Sequence, residues 1–240
     1  MAQQILKDQT LYFDTYELTS TVNAMALEYG VDAVDDTMFG DDTRSAIGGL
    51  KNVNVNFQGG VDYSAQSSVL FDKVGVQDTV LSFGAAGATE GDRGYLMPVT
   101  TGLYEPGGNI GDLYSFTVNA QGSGNLVAGN ILGTGTKNNT GNSAGYQLGA
   151  VSATQRVYGA LHVLSASGTT PTLDVTLESN ATGSFSGSQT TRLTFTQVTT
   201  STSAELISSA GAITDTWWRV VWTIGGTTPV YAIRVVIGII

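Results

Sequence analysis

The densest group of carboxylates lies near the start of the chain, in Glu28, Asp35, Asp36, Asp41 and Asp42. Paired carboxylates can hydrolyse glycosides, and clustered carboxylates can bind calcium. The group lacks the alternating Asp-x-Asp-x-Asp-Gly spacing of a calcium loop, and no aromatic cleft for a sugar is indicated beside it. We therefore interpret the stretch from Val31 to Lys51 as an exposed or interfacial loop between two strands.

Other residues capable of chemistry also lack the neighbouring residues that a catalytic, metal-binding or phosphate-binding site requires. His162 is the only histidine, which excludes a multi-histidine metal site within one chain, and no catalytic Ser or Asp motif accompanies it. We interpret it as a satisfied histidine within a strand. Cysteine is absent, so disulfides and thiolate metal sites are excluded. The glycine-rich stretch Gly84–Gly91 lacks the Gly-Lys-Ser/Thr of a phosphate loop. The sequence predicts no catalytic residue, no metal site and no cofactor.

Aromatic residues near the end of the chain allow a second hypothesis. Trp217, Trp218, Tyr158 and Tyr231 are typical of a packed core or interface, but could also form a platform for stacking sugars. Strand alternation places Trp217 and Trp218 on opposite faces, so one of them should be partly exposed or in an interface. The alternative function is therefore a carbohydrate-binding or adhesion protein of a virion or cell surface.

The composition favours a protein that works within an assembly. Charged residues make up only 12% of the 240 residues, against about 25% in an average soluble protein. The net charge of −10 is concentrated in the first part, since residues 1–138 hold 16 acidic and 6 basic groups while residues 139–240 hold 4 of each. An acidic first part argues against groove-type binding of nucleic acid, which requires a basic patch. We expect no signal peptide and no membrane-spanning segment.

Alternating patterns predict an all-β first part with one short helix. In Asn52–Gln58, Val53, Val55 and Phe57 share one face, and the asparagines share the other. Val22–Tyr29 and Leu113–Ala120 are also predicted strands, the latter with Tyr114, Phe116 and Val118 directed inward. A helix is predicted to begin between Asp62 and Ser64 and to have Gly75 at its C′ position.

A flexible composition between Leu132 and Tyr146 suggests a domain boundary at the charge step. We predict a first domain over 1–132, a linker over 133–145 and an antiparallel β-sandwich over 146–240. Five strands are predicted in the second domain: 156–164, 173–178, 192–198, 217–224 and 230–239. The two Gly-Thr-Thr-Pro segments, Gly168–Pro171 and Gly226–Pro229, are interpreted as similar turns.

An ordered series of segments resembles the tail tube (major tail) proteins of long-tailed bacteriophages. The segments are Tyr16–Tyr29, Asp35–Arg44 with its Thr-Met-Phe-Gly-Asp, Ile47–Asp62 with its Gly-Leu-Lys entry to an alternating strand, Tyr95–Pro98 and Gly111–Val118. The resemblance covers roughly residues 5–135. It implies a tail-tube-type β-sandwich or barrel domain with a flanking helix. Copies would form rings, usually six-fold, that stack into a tube through which DNA passes.

The resemblance also implies roles for individual residues. The loop 33–50 matches the family's loop that contacts the adjacent ring or subunit. The implied contact residues are Met38, Phe39, Asp41, Asp42, Arg44 and Ile47. The polar stripe implied to face the lumen or a contact surface is Asn52, Asn54, Asn56 and Gln58.

Partners and location follow from the same resemblance. Besides copies of itself, the protein would meet the tape measure, terminator and tail-tip proteins, and DNA would pass without specific binding and without a membrane. It would be located in the virion tail after assembly in the host cytoplasm. The second domain would decorate the tube exterior, or be a second tube-type domain, so that three chains make a pseudo-hexameric ring.

Overall fold

A computed structural model of the chain describes residues 8–40, 42–62, 66–85, 87–187 and 189–240. It confirms an all-β protein with one short helix. In chain order the elements are β1 (Thr10–Phe13), β2 (Tyr16–Glu17), β3 (Val22–Asp35), β4 (Ala46–Gly60), α1 (Gln66–Asp72), β5 (Thr79–Gly84), β6 (Arg93–Gly107), β7 (Ser115–Gly122), β8 (Val127–Lys137), β9 (Gly141–Asn142), β10 (Tyr146–Gln147), β11 (Arg156–Asn180), β12 (Thr190–Thr194), β13 (Ser203–Ala210) and β14 (Trp217–Ile239).

The chain forms two compact units. Unit 1 comprises the described residues within Met1–Ser20, Thr79–Pro98 and Asn125–Ile240, and unit 2 those within Thr21–Asp78 and Val99–Gly124. This differs from the predicted division into 1–132, 133–145 and 146–240. The predicted linker belongs to unit 1, because residues up to Lys137 continue β8 and both β8 and β9 pair with β14. Glycine, serine and asparagine made this stretch resemble a linker, but a neighbouring strand supplies backbone partners that composition does not reveal.

Unit 2 contains a four-stranded antiparallel sheet in the order β3–β4–β7–β6. One face is apolar, and Phe57 packs edge to face against Phe116 with ring centroids 6.4 Å apart. Helix α1 contributes the buried Leu70 and a hydrogen bond of 2.9 Å between Ser67 Oγ and the Tyr104 hydroxyl. Alternation in β4 therefore predicted its two faces correctly.

Two local predictions in unit 2 need correction. The strand predicted over Val22–Tyr29 continues to Asp35, and the strand predicted over Asn52–Gln58 already begins at Ala46. Most of the predicted loop is therefore a β-hairpin. Tyr114 precedes β7 and is 40% exposed instead of pointing inward. Tyr63 and Ser64, possible first residues of the helix, lie outside the described residues. Gly75 has a positive φ of 79°, but follows the helix end at Asp72 by three residues and donates to the Thr101 carbonyl at 2.9 Å.

Unit 1 is organised by one long antiparallel ribbon, formed by β11 and β14. Each strand spans two predicted strands, so the Gly-Thr-Thr-Pro segments are not turns. They lie opposite each other in the ribbon, with Thr169 paired to Thr227, and the register shifts on either side of this pair. Thr170 and Thr228 both have a φ of 48°. We infer that this matched irregularity lets both strands bend at the same place without ending.

The flanking strands complete unit 1. Strand β13 pairs with the first part of β11 and β12 with its last part, while β8, β9 and β10 pair along β14. Strand β13 was not predicted, because Ser203–Ala210 is rich in small residues with little alternation of burial. The core is built around Trp218, which is fully buried and donates from Nε1 to the Gly149 carbonyl at 2.8 Å.

Candidate assembly surface and channel face

The polar face of the unit 2 sheet is the first candidate functional surface. Asn54, Asn56 and Gln58 of β4 are paired with Gln121, Asn119 and Thr117 of β7, so their side chains form one continuous amide-rich face. On β3 the paired positions are Ala26 for Asn56 and Glu28 for Asn54. The predicted stripe is therefore part of a wider face. Asn52, Asn54 and Asn56 are half-buried and Gln58 is exposed.

This face carries no positive charge. On β6, Thr100 is paired with Gln121 and Glu105 with Thr117, so both belong to the polar face. A shallow depression in this face is lined by Glu28, Asn54, Asn56, Asn119 and Gln121 among others. The strand segments 22–30, 52–60, 99–107 and 115–122 contain no lysine or arginine. A surface of neutral amides with a few carboxylates and the apolar Leu103 offers no favourable site to a phosphate.

The edges of this sheet are open to further pairing. β3 is paired with β4 on one side only within the described residues. At the other edge of the sheet, one side of β6 is paired with β7. Within the described part of unit 2, the other side of β6 has only one partner, an isolated bridge between Val74 and Thr101. A long free edge presents unpaired N–H and C=O groups to another strand, and natural proteins rarely leave one uncovered.

Exposed apolar side chains are concentrated in the same unit. Among the described residues, every large exposed apolar side chain except Ile240 belongs to unit 2. Most fall into three groups: the hairpin between β3 and β4 (Tyr29, Val31, Val34, Met38, Phe39, Ile47, Leu50), the helix and its C-terminal side (Phe71, Val74, Val76), and the turn from β6 to β7 (Ile110, Leu113, Tyr114). Leu103 lies apart from these groups, on β6 opposite Asn119. Among the described residues, large apolar side chains are therefore exposed to water mainly in unit 2.

The hairpin of β3 and β4 projects beyond the sheet as an arm. Strand β7 pairs with β4 only from Asn54 onward, so residues 30–35 and 46–50 form a two-stranded ribbon in which every residue is exposed. An isolated hairpin is marginally stable in water. Of the predicted contact residues, Met38, Phe39, Asp42, Arg44 and Ile47 are all exposed on this arm, and Asp41 lies outside the described residues.

Short polar side chains close the turn of the arm. Asp35 Oδ1 accepts from the Thr37 backbone N–H at 3.0 Å, the Ser45 N–H donates to Thr37 Oγ1 at 3.1 Å, and Ser45 Oγ donates to Asp36 Oδ1. The Asp36 N–H also donates to the Ser45 carbonyl at 3.2 Å. Two of the carboxylates in the dense acidic group therefore act as turn-closing acceptors, which accounts for their spacing without catalysis or a metal.

Protonation should loosen this turn. The hydrogen bonds from the Thr37 side chain and backbone hold the pKa of Asp35 below its usual 3.8. Because the folded pKa is the lower one, the stabilisation is fully present above about pH 4 and is lost as the pH falls through the folded value. We expect amide exchange at residues 36–45 to accelerate relative to β7 below pH 4, and Asp35→Asn to accelerate it already at neutral pH. Equal protection in Asp35→Asn and the parent protein would contradict this assignment.

The charged and polar groups buried in unit 1 serve its structure. His162 is fully buried, with Nε2 at 2.8 Å from Ser82 Oγ and Nδ1 at 2.6 Å from the Asp14 carbonyl. Burial lowers its pKa to about 4, so the ring is neutral at pH 7. This confirms the interpretation of a satisfied strand histidine. Arg234, also buried, donates to the Ala88 carbonyl at 2.7 Å and lies over the Tyr12 ring.

Two of the four residues of the hypothetical sugar platform are buried. Tyr231 is fully buried and its hydroxyl donates to the Thr199 carbonyl at 2.9 Å, so it cannot stack on a ligand. Trp217 is half-buried and Trp218 is in the core, as alternation predicted. Among the described residues no group of three potential ligands could hold a metal ion, and no helix is long and apolar enough to cross a membrane.

Sequence reasoning did not identify Phe71, Val74, Ile110 and Leu113 as surface apolar residues. Ile110 and Leu113 lie in the turn between β6, which ends at Gly107, and β7, which begins at Ser115. The available signal was an apolar pair, Ile110 and Leu113, within a polar, glycine-rich turn. Such a pair has no local core to enter and indicates a partner.

Several solved structures resemble this chain, all at low identity. No protein-family model and no curated protein matches it. A chain of the virion of a native gene transfer agent particle matches with a TM-score of 0.41 and 16% identity, covering 52% of this chain and 97% of that chain. The sheath/tube terminator of an extracellular contractile injection system, PVC, matches with a TM-score of 0.44 and 8% identity over 53% and 97%. The SPP1 Dit protein, a hub of the adsorption apparatus in phages infecting Gram-positive bacteria, matches with a TM-score of 0.38 and 12% identity over 98% and 100%. These neighbours are described as parts of a virion, of a contractile injection system and of a phage adsorption apparatus, and the likeness is one of fold.

Proposed function

We propose that the protein is a non-enzymatic structural subunit of a phage tail, in which unit 2 assembles with copies of itself into a ring around a DNA channel. The observation that supports this most is the concentration of exposed apolar residues and open strand edges in unit 2. The resemblance to tail tube proteins implies six copies in each ring and rings that stack.

Ring closure is supported by the two different edges of the unit 2 sheet. Pairing of β3 of one copy with β6 of the next is a head-to-tail contact, which closes into a ring when the rotation between copies is suitable. A closed barrel leaves no free edge. Burying a Phe, Met, Val or Leu side chain contributes roughly 1.5–3 kcal/mol, so six such residues contribute roughly 9–18 kcal/mol. That is comparable with the association cost of about 4–15 kcal/mol.

The channel assignment is supported by the chemistry of the polar face. If this face lines the ring, each copy contributes amides and two carboxylates, Glu28 and Glu105, and no cation. Unit 2 as a whole contains 11 acidic and 3 basic residues, a net charge of −8. DNA would then pass without forming stable contacts, because phosphates gain affinity from cations and release of their counterions. DNA ejection through such a channel is the activity we assign.

The remaining partners follow from a place in the virion tail. A stacked ring would contact the tape measure inside, and terminator and tip proteins at its ends, after assembly in the host cytoplasm. Unit 1, with Ile240 as its only large exposed apolar side chain among the described residues, is suited to a surface that faces water. We propose that it decorates the exterior of the tail.

Assembly state tests the proposal. We expect the purified protein to form rings, and stacked rings at higher concentration, in mass photometry and negative-stain electron microscopy. Phe71→Asp combined with Val74→Asp should leave monomers, since both positions are exposed and a charge there opposes burial at an interface. Thr200→Asp, at an exposed position of unit 1, is the matched control and should assemble. A parent protein that stays monomeric at every concentration, with no rings in phage particles, would contradict the proposal.

A further inference from the structure

We propose that the turn between β6 and β7, with Ile110 and Leu113, is the docking surface for the arm of a second copy, so that rings stack through unlike ends. This inference rests on the proposed function and extends it by naming the two surfaces that meet between rings. The occupant is the arm turn with Met38 and Phe39.

The topology places these two apolar groups at opposite ends of one sheet. β4 begins at Ala46, next to the arm turn, and ends at Gly60. Gly60 is paired with Ser115, and Ser115 is paired with Gly107, so the residues between Gly107 and Ser115 lie at the far end of the sheet. Copies stacked along the strand direction therefore bring the arm turn of one against the β6–β7 turn of the next.

Exposure supports the pairing of these ends. Phe39 and Ile110 are fully exposed, and Met38 and Leu113 are 73% and 77% exposed. Each end thus presents two large apolar side chains to water, and neighbouring exposed apolar side chains can form a patch that marks an interaction site. Contact between unlike ends of identical copies can be repeated without limit, as the growth of a tube requires.

Charge and local order agree with this contact. The arm turn carries Arg44, which forms no ion pair with a described residue, and the opposite end carries Asp112. Asn109 Nδ2 donates to the Asp112 carboxylate at 3.2 Å, and the Val61 N–H donates to the Tyr114 carbonyl at 3.0 Å. Both turns are closed by their own hydrogen bonds, so docking requires little additional ordering.

A cysteine cross-link tests the contact directly, because the chain contains no cysteine of its own. In Phe39→Cys with Ile110→Cys, we expect oxidation of assembled protein to give a ladder of linked chains on a non-reducing gel. The two positions within one chain cannot react, since β4 alone separates its ends by roughly 45 Å, against a Cα separation below about 7 Å in disulfides. Each single variant should give dimers at most.

The matched control moves the second cysteine from the β6–β7 turn to helix α1, in the variant Phe39→Cys with Phe71→Cys. A ladder in this control and none in the first pair would overturn the inference and place the arm on the helix. If the Phe39→Cys, Ile110→Cys variant assembles into stacked rings but gives no ladder on oxidation, the inference is also overturned, while the proposed ring stands. In a charge exchange, Arg44→Asp and Asp112→Arg should each shorten the stacks several-fold, and the double variant should restore their length. No restoration would count against the ion pair and the docking orientation.

Discussion

Asn56→Lys is expected to convert the proposed channel, which DNA would pass freely, into one that holds DNA. Asn56 lies in the middle of the polar face, paired with Asn119 and Ala26. In a ring of six copies the substitution adds six cations at one level of the channel. Six phosphate contacts would make affinity for duplex DNA fall about 10³-fold between ~50 mM and ~200 mM salt. Fluorescence anisotropy of a labelled duplex with assembled rings measures both the gain and its salt dependence.

Two control variants distinguish DNA binding by a lysine in the proposed channel from DNA binding by added positive charge anywhere on the protein. Asn56→Gln preserves a neutral amide and should bind no more DNA than the parent protein. Thr200→Lys adds the same charge at an exposed position of unit 1 and should also remain weak. If Asn56→Lys rings bind no better than Thr200→Lys rings, the polar face does not line the channel. Rings that fail to form in Asn56→Lys but form in Asn56→Gln would instead place this position in a contact between copies.

Trp218→Ala is expected to have the largest effect on stability, about 3–5 kcal/mol. Its ring is fully buried among the aliphatic residues of unit 1, and its loss leaves a cavity and the Gly149 carbonyl without its indole donor. Trp218→Phe retains most of the buried area and isolates the lost hydrogen bond, for which we expect about 1–3 kcal/mol. Urea unfolding followed by far-ultraviolet circular dichroism, with parent and variants at the same pH, gives these differences.

Trp217→Ala is the matched control for Trp218→Ala, since it removes the adjacent tryptophan from the opposite face of β14. Part of this ring remains in water, so its removal should cost less than removal of Trp218. Equal losses for the two tryptophans would contradict the assigned faces of β14. The same variant tests the adhesion hypothesis, since a glycan-array signal of the parent protein that disappears in folded Trp217→Ala would favour carbohydrate binding.

Local alternation predicted the faces of single strands well. Val53, Val55 and Phe57 are buried and the intervening asparagines are not, because neighbouring side chains in a strand must point to opposite faces. The same rule separated Trp217 from Trp218. Strand ends were predicted less well. The strand predicted over Val22–Tyr29 continues to Asp35, because the arm is held by pairing with β4 and has no buried face that would produce an alternating pattern.

Glycine and proline were poorer guides in unit 1. Two Gly-Thr-Thr-Pro segments and a glycine-rich stretch resembled turns and a linker. In the structure the two segments face each other in one ribbon, and the stretch is paired with β14. A local sequence cannot show that two irregular segments match across strands 58 residues apart, as Thr169 and Thr227 are.

Residue types alone determined that this chain is β-rich, acidic in its first part, and without cysteine, a second histidine or a recognisable catalytic motif. They also identified the amide stripe on β4, and the resemblance to tail tube proteins added Met38, Phe39 and Ile47 of the arm. Tertiary structure decided that Asp35 and Asp36 close a turn, that one edge of β3 has no partner strand among the described residues, and that Ile110 and Leu113 lie at the end of the sheet opposite the arm. These features depend on pairing between distant strands, and such pairing determines which surfaces remain open to a partner.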